Sequence, residues 1–187
     1  MVLKYGLFSI LMSCIMLNYA CKKSSDAATT NTTATTGTFT ASSTAFTSNG
    51  TLPKLYTCDS TGISPKLSWE NAPAGTKSFA VVMHHIPPTP PNHVYLLLYN
   101  IPVTVTGIGD AVSGIGLFGI NTVNGKQSYT PPCSQGPGAK LYTITVYALS
   151  SAPVFTVPQT QVTRDVLLAA IANTTLASSE MNVTYTR

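Results

Sequence analysis

The chain has 187 residues, 44% of them apolar and 9% charged, with a formal charge of +4. That length suits one domain plus a targeting segment, and a folded part of about 150 residues buries roughly two thirds of its surface without a metal to hold it together. Lys4, Lys22 and Lys23 all lie in the N-terminal segment. The rest is weakly basic with no Lys/Arg block, so composition gives a nucleic-acid partner no support.

In chain order, the first signal is for export. Lys4 supplies a positive start, and "YGLFSILMSCIMLNYA" is an apolar run of signal-peptide length, too short and poorly flanked for a membrane span. It leads into "ACKKSSD": a small residue, a cysteine, then lysines and a polar tail, the pattern of a bacterial lipoprotein signal. Cys21 is the preferred lipid acceptor because it leaves a full-length apolar region before it. Cys14, in "LMSC", fits the local box better but leaves an apolar mature N-terminus, and an ordinary secretory signal is the plainer alternative. The expected organisation is a lipoprotein signal peptide over 1–20, a flexible Thr/Ser-rich tether over 21–37 and a single domain over 38–187. The tether is too polar to offset its own ordering entropy. Such a chain crosses the inner membrane and stays lipid-anchored in the cell envelope, in the periplasm or at an outer membrane.

From Thr38 the pattern is β-rich. "SFAVVMHH", "HVYLLLYNIP", "LYTITVYAL" and "MNVTYTR" abound in Val, Ile, Tyr and Thr and end at Pro, Gly or Asn turns, while "TFTASSTAF" and "KLSW" are weaker strands. In "LYTITVYAL", Tyr142, Ile144, Val146 and Ala148 face one way and Leu141, Thr143, Thr145 and Tyr147 the other. "YLLLYNI" is apolar on both faces, which predicts a central strand. "TRDVLLAAIANTTLASSE" predicts a helix instead, with Val166, Leu167, Ala170 and Ile171 on one stripe and Thr163 or Asp165 at its start.

Two cysteines, Cys58 and Cys133, remain beyond the export segment. In an oxidising compartment they form a candidate disulfide; two buried free thiols are the alternative. The loop "MHHIPPTPPNHVY" brings three histidines close in sequence. His84 and His85 are neighbours on a strand, so their side chains take opposite faces and cannot readily share a metal. His85 with His93, and Asp59 as a third ligand, is a conceivable metal site; one buried and hydrogen-bonded histidine beside one exposed histidine is the plainer reading.

Several strings then fall into a familiar order. "LPKLYTCDSTGISPKLSWENAPAGTKSFAVVM", "YLLLYNIP", "PPCSQGPGAKLYTITVYAL" and "TRDVLLAAIANTTLASSEMNVTYTR" resemble, in sequence and spacing, the phosphatidylethanolamine-binding protein family in its bacterial, Raf kinase inhibitor-like branch. The resemblance covers about Thr38 to Arg187. It implies a mainly β fold, a sandwich of two antiparallel sheets with a peripheral helix near the C-terminus. It also implies a small surface pocket for phosphate-type anions or phospholipid head groups. The pocket strings themselves have changed. The family's Asp-Pro-Asp-Ala-Pro motif falls at His85, Ile86, Pro87, Pro88 and Thr89; its His-Trp at Tyr95 and Leu96; its His-Arg at Lys140 and Leu141, ahead of Tyr142. Asp59 is retained, whereas an acid or amide two places before Ser-Pro has become Gly62.

The resemblance therefore makes Asp59, His85, Tyr95, Lys140 and Tyr142 the candidate ligand-binding residues. Exchanging an acid for His and a His for Lys makes the rim more positive, which favours a small anionic or phospho-containing ligand. No catalytic residue, cofactor or metal is expected. There is no G-x-S-x-G string, and carboxylates are scarce. The competing readings are a pocket that has lost its ligand and a module that docks an envelope protein through Pro87 to Pro91.

Overall fold

A computed structural model describes residues 37–187, all within one compact unit, Thr35–Arg187. The expected signal peptide, the lipid-acceptor cysteines and nearly all of the tether lie outside the described residues. Among the described residues no helix is long and apolar enough to cross a membrane.

Two sheets carry the fold. The smaller pairs β1 (Thr40–Ser42), β3 (Leu67–Glu70) and β6 (Gly107–Ile108) in the order β1-β3-β6. The larger has the order β2-β9-β8-β4-β5-β7, built from β2 (Gly50–Thr51), β4 (Ser78–His85), β5 (His93–Pro102), β7 (Leu117–Phe118), β8 (Lys140–Leu149) and β9 (Thr175–Tyr185). The sheets are antiparallel as expected, apart from one short parallel pairing of β2 with β9.

Side-chain alternation sorts the larger sheet into two buried faces. Phe79, Val81 and Met83 of β4 and Tyr142, Ile144, Val146 and Ala148 of β8 turn inward, against Leu67, Trp69 and Ile108 of the smaller sheet. Trp69 packs tilted on Phe79 with ring centroids 5.2 Å apart, a geometry that aromatic quadrupoles favour. Ala80, Val82, Leu97, Tyr99 and Leu149 turn outward, beneath Val162 and the helix α1 (Arg164–Ile171). This second layer explains "YLLLYNI". The strand is apolar on both faces because both are covered, yet it lies second from the sheet edge, with only the two-residue β7 beyond it. The expected central position is corrected to that extent.

The C-terminal helix is shorter than the periodicity suggested. Thr163, rather than Asp165, is the cap: its Oγ1 accepts from Val166 N at 3.3 Å, while Asp165 sits in the first turn. After Ile171 the apolar stripe stops, and Asn173, Thr174 and Thr175 offer side-chain competitors to helical bonds. Thr175 Oγ1 donates to the Ile171 carbonyl at 2.9 Å, and the chain turns into β9. Of the four stripe residues, Leu167 and Ile171 are buried, and Val166 and Ala170 only partly so.

Asn121 was not singled out by sequence. Fully buried, its Nδ2 donates to the Lys126 and Ser128 carbonyls at 2.8 and 3.1 Å, and its Oδ1 accepts from Val123 N and Asn124 N. One side chain thus organises the whole loop after β7. Asn121→Ala removes four side-chain hydrogen bonds to the loop backbone at once and is expected to cost about 2–4 kcal/mol in urea unfolding; a loss under 1 kcal/mol would contradict that role.

Candidate functional site

The ends of β4, β5 and β8 converge on an open cavity of about 490 Å³, large enough for a small organic ligand. A register shift helps to shape it. Met83 pairs with Leu96 but His84 with Val94, which leaves Tyr95 as the additional residue of β5. Such a bulge re-aims side chains. Tyr95 and Leu96 both join the inner core while Val94 joins the outer one. The Tyr95 carbonyl, displaced from the ladder, accepts from Thr130 N at 2.9 Å.

Four of the five candidate residues line this cavity: His85, Tyr95, Lys140 and Tyr142. His85 Nδ1 lies 2.7 Å from the Leu141 carbonyl, an acceptor only, so that nitrogen carries the proton and Nε2 is left free. Its ring lies 5.6 Å from Tyr142 and 6.1 Å from His93, and Tyr95 meets Tyr142 edge-on at 5.3 Å. Burial first, and then the neighbouring Tyr95, hold the Tyr142 phenol well above its ordinary range; burial likewise raises Tyr95. Both therefore stay protonated and can serve as hydrogen-bond donors. Lys140 has no ion-pair partner among the described residues, and the cavity lining contains no carboxylate.

Asp59 is the exception. It does not line the cavity: its Oδ1 pairs with Arg187 Nε at 2.9 Å, and its Oδ2 accepts from the Tyr185 hydroxyl. That removes it from the conceivable His85–His93–Asp59 metal set, and no group of three His, Cys, Asp or Glu side chains among the described residues is placed to hold a metal ion.

Cys58 and Cys133 form a disulfide, which closes the alternative of two free thiols. Cys133 belongs to the cavity wall, as do Ser134 and Gln135. Ser134 Oγ is buried without a hydrogen bond of good geometry, although the hydroxyl lies close enough to Tyr142 to ease its ionisation slightly. Sequence reasoning missed Ser134, Gln135, Thr122 and Val123. Ser134 had a signal, its position beside a wall cysteine. Thr122 and Val123 had none, because the Asn121-centred loop that presents them is a tertiary feature.

His84 turns to the other face of the sheet, as strand alternation requires. It is 7% exposed, and its Nδ1 has no partner, so it is buried but not bonded there as expected. Burial, then the Arg164 guanidinium, then His85, lower its pKa from 6.5 to about 4. Neutral His84 is the folded form. As pH falls from 6.5 towards 4 the unfolded chain takes up a proton that the folded chain refuses, so stability is lost over that window, by about 2–3 kcal/mol. His84→Leu is expected to flatten this slope in unfolding curves measured at several pH values; an unchanged slope would contradict it.

With this geometry in place, comparison with known proteins identifies the family. The sequence profile of phosphatidylethanolamine-binding proteins matches residues 42–186. The chain belongs to the phosphatidylethanolamine-binding protein family. It is 33% identical over 148 residues to the UPF0098 protein of Chlamydia muridarum, covering 75% of this chain and 94% of that one. A 37% identical stretch of 106 residues matches the UPF0098 protein of Aquifex aeolicus, covering 53% and 61%. Among solved structures, the phosphatidylethanolamine-binding protein homologue CT736 of Chlamydia trachomatis is similar with a TM-score of 0.72 at 28% identity, covering 80% of this chain and 98% of that one. Escherichia coli YbcL shares the fold with the same TM-score at 21% identity, covering 81% and 99%. The phosphatidylethanolamine-binding fold is thus retained here around a cavity lined by His85, Tyr95, Lys140 and Tyr142.

Proposed function

We propose that this family member is a non-catalytic binding protein of the cell envelope that takes a small anionic or phospho-containing ligand in its remodelled cavity. One observation carries the reading: the lining holds the Lys140 ammonium, two protonated phenols and an unsatisfied serine hydroxyl, and no carboxylate. An oxyanion supplies an acceptor for Lys140 and for the Ser134 hydroxyl, whereas the His85 Nδ1 proton is already given to the Leu141 carbonyl. The non-catalytic part rests on chemistry as well. Cys133 is tied up in the disulfide and is no nucleophile, and Ser134 has no hydrogen-bonded base. Export and lipid attachment at Cys21 rest on the N-terminal sequence pattern, and a disulfide suits an oxidising compartment.

The second reading, a module that docks another envelope protein, is favoured by the proline loop Pro87–Pro91, whose Pro87 and Pro88 line the same cavity. The two separate experimentally. On the anion reading, inorganic phosphate and phosphoethanolamine bind saturably, and binding weakens in Lys140→Ala, whereas replacing the proline loop has less effect. If neither ligand binds at millimolar concentration, the anion reading falls and the docking reading stands.

A further inference from the structure

Asp59 stands one residue from Cys58, which is bonded to Cys133 of the cavity wall. On its other side, the Tyr185 hydroxyl that donates to it belongs to the register partner of the cavity residue Lys140. A carboxylate is therefore linked, through Cys58 and through Tyr185, to two parts of a cavity whose own lining has none. Its charge is met by Arg187 at 2.9 Å, with the Asp59 side chain 18% exposed and the Arg187 side chain 53% exposed.

We propose that Arg187 sets the charge preference of the cavity by pairing with Asp59, so that the Asp59 charge is screened from a bound oxyanion. The inference rests on the anion-binding reading and adds what makes that cavity selective. A charge screened by an adjacent counter-charge projects only a weak dipole field, whereas an uncompensated carboxylate repels an anion across the wall by Coulomb's law. Arg187 acts through Asp59 and touches no ligand, so it is a positioning residue for charge. The pair is partly solvated, so its worth to the fold is small and its replacement leaves a folded protein.

The pairing makes a distinctive sign prediction. Arg187→Gln uncovers Asp59 and is expected to weaken phosphate binding about three-fold at low ionic strength; Asp59→Asn uncovers Arg187 and is expected to strengthen it by a similar factor. The double variant returns to the wild-type affinity, and Arg187→Lys keeps it. All differences shrink as salt is raised, because the Debye length falls to about 8 Å at 0.15 M. A pair that served only to hold the wall in place would instead weaken binding in both single variants, with little dependence on salt. The experiment is a titration of the full chain and these variants with inorganic phosphate, followed by amide chemical shifts, with thermal melting recorded beside it. Opposite signs for the two single variants and recovery in the double support the proposal. Equal signs, or no change in either, overturn it while leaving anion binding intact. A wild-type protein that binds no phosphate overturns both.

Discussion

Replacing both Cys58 and Cys133 by alanine is expected to lower unfolding stability by about 4 kcal/mol and the melting temperature by roughly 10 °C. The bond spans a sequence separation of 75 residues, so its removal returns a large loop-closure entropy to the unfolded chain. There is also a folded-state cost. The wall segment that carries Cys133, Ser134 and Gln135 is fastened to the rest of the domain by this bond and by the Cys58 N–H, which donates to the Pro132 carbonyl at 3.0 Å. Loss of the bond therefore loosens one side of the cavity, and phosphate binding is expected to weaken together with stability. Denaturant unfolding of the double variant, or of wild type under reductant, checks the first part. A loss below 1 kcal/mol would contradict it.

The second large effect concerns the ligand. Lys140→Glu reverses the charge at the cavity mouth, where the lining otherwise offers neutral donors and imidazoles. It converts a charge-assisted contact with an oxyanion into a repulsion, and affinity for phosphate is expected to fall by about ten- to a hundred-fold. The fold is expected to tolerate the change, since Lys140 opens β8 with no ion-pair partner among the described residues and stands only half-buried. An affinity within two-fold of wild type, measured in a protein of unchanged melting temperature, would remove Lys140 from the site.

Much of this fold is legible in the sequence because its signals are local. The alternation of "LYTITVYAL" separates Tyr142, Ile144, Val146 and Ala148 from the outer residues, and the structure buries all four. The short reach of α1 was harder to see, since "NTTLASSE" continues a weak helical pattern and only pairing with β8 decides for strand. The position of "YLLLYNI" misled for a related reason: burial on both faces reports covering layers, not sheet order. At the site, four candidate residues on strand ends came together in one cavity. His85 and Tyr142 are cavity neighbours because β4 and β8 are paired in register. Asp59 did not, because its partners Tyr185 and Arg187 are some 126 residues or more away in sequence and no local pattern links them to it. The bulge at Tyr95 and the loop built on Asn121 belong to the same class, since both are settled by tertiary hydrogen bonds.

The most direct measurement is an amide chemical-shift titration of residues 35–187 with inorganic phosphate. Saturable shifts clustered at His85, Tyr95, Ser134, Lys140 and Tyr142, and absent around His84 on the opposite sheet face, are the expected result. No shifts at millimolar phosphate, or shifts spread evenly over surface lysines, would contradict the account of this cavity as an anion site.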